Sequence, residues 1–166
     1  VKLRRGFGLL LVAATLAAAT LAAAPVRAAG LSEARVRAFF AEQERTWNAG
    51  ALEAYFIAFR PDAVFTDQYR TPAGEIVPYG ESTLAEARVH SRKFRAAAKI
   101  SETGKIVRIS LGPDGRTAQI LSRVVSRIQT TKGLRVTCAE RRQELILAAG
   151  GLRSKGQTDT FTRCPR

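Results

Sequence analysis

Between residues 32 and 49, Val36, Phe39, Phe40 and Trp47 recur at three- and four-residue spacing. Arg35, Arg37, Glu42, Glu44 and Arg45 fall mostly between them, the pattern of an amphipathic helix. Ser32 is placed to cap its start, Glu33 sits in the first turn, and Gly50 is placed to end it. Gln43 shares the stripe of Val36, Phe40 and Trp47, so its amide is predicted to point inward. A second, short helix fits residues 51–59, with Leu52, Tyr55, Phe56 and Phe59 as its apolar side and Pro61 as its stop. Ala63 to Thr66 reads as a strand running into Asp67, Gln68 and Tyr69. Pro72, Gly74, Pro78 and Gly80 make residues 71–80 a turn or hairpin, so Tyr69 and Tyr79 fall in loop-like sequence. Ser82 is expected to cap a third helix that runs to about Ala97.

From Ile100 onward the pattern changes to strands. Residues 100–111, 116–130, 134–147 and 152–164 are rich in β-branched and alternating apolar positions. Gly112-Pro113-Asp114-Gly115, Lys132-Gly133 and Gly150-Gly151 supply the turns between them. Three successive hairpin links make an antiparallel meander, and helices followed by a sheet make the class α+β.

A different pattern precedes the first helix. Lys2, Arg4 and Arg5 lead an uncharged run from Phe7 to Ala24, which Pro25 and the small residues around Arg27 close. A basic start, an apolar run and a small-residue exit are the parts of a secretory signal. Residues 1–28 therefore read as a signal peptide cleaved after Ala28, with an uncleaved membrane anchor as the rival reading, and residues 29–166 as one domain. The expected location is periplasmic or secreted, with membrane contact only through the signal segment before cleavage.

The 166 residues carry 27 basic and 14 acidic side chains, a net charge of +13. Four of the basic residues belong to the leader, and the domain stays strongly basic, mostly through arginine. Basic residues are spread along the chain without a recognition module or interleaved aromatics, so nucleic acid is not an expected partner. A solvated, Arg-rich surface accounts for the charge, with a cationic, envelope-associated binding module as the functional alternative. One histidine, His90, and two distant cysteines leave no ligand set for a dedicated metal. No phosphate-binding glycine loop or nucleophile elbow is present, and no cofactor is expected.

The ordered set of elements resembles the nuclear transport factor 2-like superfamily, which includes ketosteroid isomerases and SnoaL-like cyclases. Trp47-Asn48-Ala49-Gly50, Pro61 to Asp67, and Gly80-Glu81-Ser82 are similar to that family's helix-one end, first strand and third-helix start. Where the family usually has Asp after the helix-one Gly, this chain has Ala51. The resemblance implies a cone: a strongly bent antiparallel sheet wrapped around the long N-terminal helix, with two further helices, in a cystatin-like arrangement. It also implies a pocket at the wide end and, as a protein partner, a second copy docked through the sheet. By resemblance the proton-moving carboxylate falls on Asp67, the first oxyanion donor on Gln43 and the second near Gln143. The base type is kept and both donor types are changed.

The candidate site is then Asp67 as catalytic base, with Gln43, Trp47, Tyr55, Phe65, Tyr69, Tyr79, His90 and Gln143 around a ligand. The expected function is binding of a small, apolar ligand or a protein partner; proton transfer by Asp67 on a small hydrophobic substrate is the alternative. On the late strands, Arg123 and Arg127 and the mixed charges of Glu140, Arg142 and Glu144 are expected on the outer face. A disulfide between Cys138 and Cys164 is expected for an exported domain. A two-residue turn at Gly150-Gly151 pairs Ala149 with Leu152 and sets Cys138 opposite Arg163, so a one-residue register shift is needed to align the thiols.

Overall fold

The computed structural model describes residues 30–165. The leader lies outside the described residues. The order is α1 (Glu33–Asn48), α2 (Leu52–Ile57), β1 (Phe59–Arg70), β2 (Ile76–Thr83), α3 (Leu84–Ala97), β3 (Lys99–Leu111), β4 (Thr117–Thr130), β5 (Gly133–Ala148) and β6 (Gly151–Thr162). The strands form one six-stranded sheet in the order β2-β1-β6-β5-β4-β3. All neighbours are antiparallel except β1 and β6.

Two apolar clusters hold the helices to one face of this sheet. Val36 and Phe40 of α1 pack with Leu31, Ile120, Leu145 and Leu152. Tyr55 and Phe56 of α2 pack with Phe59, Ala63 and Ala87. Between the clusters α1 turns Gln43 and Thr46 inward, as the stripe predicts for Gln43. Gly50, at φ +70°, ends α1 in a conformation that glycine adopts without strain. Ala51 then starts α2 with no side-chain cap.

Three element boundaries differ from the sequence reading. The second helix ends at Ile57, and Phe59 and Pro61 belong to β1. Pro61 is tolerated because the β1–β6 ladder breaks between Phe59 and Val64, where no amide is needed. The cap of α3 is Thr83 rather than Ser82, because only Thr83 has a glutamate three residues on; Thr83 and Glu86 form a reciprocal capping box. Residues 76–80 are strand rather than turn: β2 is an edge strand, and Pro78 sits beside the bulge opposite Asp67 and Gln68. Tyr69 and Tyr79 are thus strand residues.

A bulge in β6 sets the geometry of the whole inner face. Near the turn, Ala148 pairs with Gly151 and Leu145 with Ser154. The register then shifts, and Gln143 pairs with Gln157, Arg141 with Asp159 and Cys138 with Thr162. The extra residue is accommodated at Gly156, at φ +152°, where a side chain would collide with the Val64 carbonyl. Without the shift Arg141 would face Thr158 and Cys138 would face Phe161.

On the opposite side of the core, Gly104 of β3 lies under the Phe40 ring. A Cβ there would stand 2.5 Å from Phe40 Cζ. Gly104→Ala is expected to destabilise the domain by about 1–3 kcal/mol, because the ring must leave a close-packed site. Denaturant midpoints of the two proteins measure this.

Candidate ligand-binding cleft

Three layers of side chains build a cleft of about 240 Å³ between α3, the end of α1 and the inner face of β1 and β6. The aromatic wall comes from Trp47, Tyr55, Phe56 and Phe65. Their rings interlock: Trp47 and Tyr55 centroids are 5.0 Å apart, and Phe56 and Phe65 are 6.0 Å apart, edge to face. His90, Ser91 and Phe94 of α3 close the other side. The floor is polar, formed by Asp67, Arg141, Gln157 and Asp159.

The floor is organised by Arg141, whose guanidinium is shared by two carboxylates. Its Nε and Nη2 donate to the Asp159 oxygens at 2.8 and 2.9 Å. Its Nη1 and Nη2 donate to Glu102 at 2.5 and 3.3 Å. All three side chains are about nine-tenths buried. Ser126 Oγ donates to Glu102 Oε2 and Gln157 Nε2 to Asp159 Oδ2, so one oxygen of each carboxylate accepts a second side-chain hydrogen bond. Ser122 and Ser126, small residues on β4, leave room for Arg141 to reach across that strand to Glu102. Burial would pull the Arg141 proton affinity down, but Asp159 and Glu102 outweigh it and hold the guanidinium firmly charged.

Asp67 pairs with Asp159 across the parallel β1–β6 ladder, so two carboxylates stand side by side. Asp159 has its arginine; Asp67 has no hydrogen bond or ion pair among the described residues. Partial burial, then the neighbouring Asp159 charge, push the Asp67 carboxyl above the usual aspartate range, with Arg141 opposing. Tyr55, fully enclosed, donates its hydroxyl to Gln157 Oε1 at 3.3 Å, and burial raises its proton affinity strongly.

The residues singled out from sequence separate into three groups. Asp67, Trp47, Tyr55, Phe65 and His90 line this cleft. Gln43 and Gln143 do not: they are buried together behind Arg141, with Gln143 Nε2 donating to Gln43 Oε1 at 3.1 Å. Gln43 Nε2 and Gln143 Oε1 have no partner among the described residues, and the two amides face a gap beside Phe40 and Gly104 rather than Asp67. Tyr69 and Tyr79 line a wider concavity of about 1120 Å³, which shares Trp47 and Phe94 with the cleft. The sequence reading missed Arg141, Glu102 and Asp159. Arg141 had a visible signal: it alternates with Ala139, Gln143 and Leu145, a face that carries Leu145 into the core. Arg123 and Glu140 pair on the opposite, outer face. Among the described residues, no group of three or more His, Cys, Asp or Glu is placed to hold a metal ion.

No family model matches the chain, and no curated protein is similar to it. Solved structures are. A protein from Planctomyces limnophilus superposes with a TM-score of 0.63 at 10% identity, over 78% of this chain and 95% of that one. A ketosteroid isomerase-like protein from Erwinia carotovora superposes with a TM-score of 0.62 at 11% identity, over 79% and 96%. The beta subunit of the benzoate 1,2-dioxygenase from Burkholderia mallei gives 0.59 at 14% identity, over 80% and 91%. At such identities the likeness is one of fold. The chain has the nuclear transport factor 2-like fold, the one its sequence motifs resemble.

Proposed function

We propose that the protein is an exported module that binds a small, largely apolar ligand in the cleft, with Asp67 as its polar anchor. The observation that carries this reading is the contrast at the cleft floor: every other polar group there is paired, whereas Asp67 is unpartnered beneath an aromatic wall. An apolar wall over one free carboxylate on the floor fixes a ligand's orientation. Export is supported by the leader pattern and by the Cys138–Cys164 disulfide, a bond that persists in oxidising compartments.

Proton transfer by Asp67 is the second reading, favoured by its raised carboxyl, since a base works best with a pKa near the working pH. Binding is favoured over turnover because the expected oxyanion donors are spent or lie outside the cleft: Gln143 donates to Gln43, the Gln43 amide is not part of the cleft lining, Tyr55 donates to Gln157, and Arg141 to two carboxylates.

Trp47, the one tryptophan, lines the cleft and reports binding by its fluorescence. With 2-naphthol as probe, Asp67→Ala is expected to weaken binding about tenfold or more, the value of a hydrogen bond to a charged group. Equal affinity of the two proteins removes Asp67 from the site. The pH dependence has a definite sign. A carboxyl raised in the folded state binds more protons there than in the unfolded chain, so ionised Asp67 lowers stability above its folded pKa. That penalty is relieved as pH falls toward the unfolded value. Asp67→Asn should therefore raise the Tm at pH 7, and the gain should vanish in acid. Without ligand, a thermal scan at both pH values checks this separately from affinity.

A further inference from the structure

The wide concavity beyond the cleft has a composition that the cleft reading does not use. Large apolar side chains stand out from both of its rims: Leu134 on β5 is 60% exposed and Tyr79 on β2 is 59% exposed. Between them an aromatic row crosses three strands, with Tyr69 and Tyr79 centroids 6.1 Å apart and Tyr79 and Phe161 6.2 Å apart. Three exposed cations share this rim, namely Lys132 in the β4–β5 turn, Arg135 beside Leu134, and Arg163 after β6. None of the three has a carboxylate partner among the described residues. Exposed aliphatic tips, tyrosines and free basic residues on one rim are the combination that partitions into the headgroup region of an anionic bilayer.

We propose that this mouth docks on an anionic lipid surface, with Leu134 and Tyr79 entering the interface and Lys132, Arg135 and Arg163 held by lipid phosphates. Charge complementarity selects this occupant. A second copy of the chain on the mouth would set the three cations against their own kind. A soluble apolar ligand would use the tyrosine row but leave the cations idle. The opening that faces the bilayer adjoins the Asp67 cleft, with Trp47 and Phe94 lining both spaces. Docking would thus present the cleft to molecules dissolved in the membrane. The proposal goes beyond the cleft reading and does not need a cleft ligand to be true.

Vesicles containing brominated phosphatidylglycerol test it in full-length protein. Bromine quenches tryptophan only at short range, and Trp47 is the only tryptophan and lines the mouth. The signal therefore reports the mouth, whatever residues 1–28 do. Trp47 should be quenched by brominated phosphatidylglycerol at a lipid concentration at least tenfold below that needed with brominated phosphatidylcholine. Added salt should weaken the preference. Leu134→Asp and the pair Lys132→Glu, Arg135→Glu should each cost at least tenfold. The pair Lys105→Glu, Arg123→Glu changes net charge equally, but its members lie opposite each other on the outer face of β3 and β4, outside the lining of the mouth, and it should cost much less. All these positions are exposed or half-buried, and circular dichroism confirms that the variants are folded. No quenching, equal quenching by both lipids, or equal loss from the outer-face pair overturns the proposal. Vesicle docking without naphthol binding leaves this inference standing and removes the cleft reading; the reverse result does the opposite.

Discussion

Replacing Arg141 with methionine should destabilise the domain by about 3–5 kcal/mol, the cost of stranding buried charge. The guanidinium is the single cation between Glu102 and Asp159, and it makes four hydrogen bonds to them. Methionine keeps much of the volume and removes all four. Two carboxylates, each about 11% exposed, would then face one another and Asp67 in a space with no compensating charge. The loss should shrink in acid, where the stranded carboxylates take up protons, so the stability gap between wild type and variant narrows as pH falls. A triple variant, Arg141→Met with Glu102→Gln and Asp159→Asn, should recover most of the stability, since neutral groups of similar shape replace the charged set. Urea unfolding of the three proteins at pH 7 and pH 5 separates these outcomes. A variant within 1 kcal/mol of wild type would show that the triad is solvated and contributes little.

This triad also explains what the cleft can accept. A free arginine on the floor would invite an anionic ligand. Here the arginine is already saturated, and the remaining free group is a carboxylate. The protein is strongly basic overall, yet the polar floor of its cleft holds Asp67 and Asp159 beside one guanidinium that Glu102 also engages from outside the cleft. Carboxylate or phosphate compounds are therefore poor candidates for the cleft, and hydrogen-bond donors are better ones.

How far the sequence reaches can be traced through particular residues. The stripe Val36, Phe40, Gln43 placed α1 and turned Gln43 inward, because helical periodicity is a local property. The turns at Gly112–Gly115 and Gly150-Gly151 delimited the late strands for the same reason. The partner of Gln43 was not legible. Its contact is Gln143, a hundred residues away, and is set by how far the sheet bends over α1. Asp67 was legible as a strand-end carboxylate near aromatics, but its neighbour Asp159 depends on a parallel pairing between the first and last strands. Such pairing leaves no local trace. The Arg141–Asp159 pair needed one more unknown, the β6 bulge, which moves every contact beyond Gly156 by one position. The exchange of Ser82 for Thr83 as the α3 cap was recoverable, since the capping-box glutamate is visible in the sequence.

The same bulge governs the disulfide, and the second large effect follows from it. In an unbroken hairpin from Ala148 and Gly151, Cys138 would face Phe161, and Cys164 would fall on the opposite side of the sheet. With the added residue Cys138 faces Thr162, and Cys164, two positions on, lies on the same side with its Cα 5.1 Å away. The pairing with Thr162 replaces the pairing with Arg163 that a simple two-residue turn implies. The bond closes a loop with a sequence separation of 26. In the chain-entropy treatment such a loop contributes about 3–4 kcal/mol by restricting the unfolded ensemble. Reduction should therefore lower stability by about that amount while leaving both apolar clusters in place, because neither includes Cys138 or Cys164. Cys164 and Arg163 sit at the mouth, so the lost order should concentrate there, after the last β5–β6 pair. Equilibrium unfolding with and without dithiothreitol measures the loss. A Cys138→Ser, Cys164→Ser variant should match the reduced protein and ignore the reductant. If the midpoint of the wild type is unmoved by reduction, the β5–β6 ladder alone fixes the C-terminal strand, and the bond serves only to tie down the segment after Thr162.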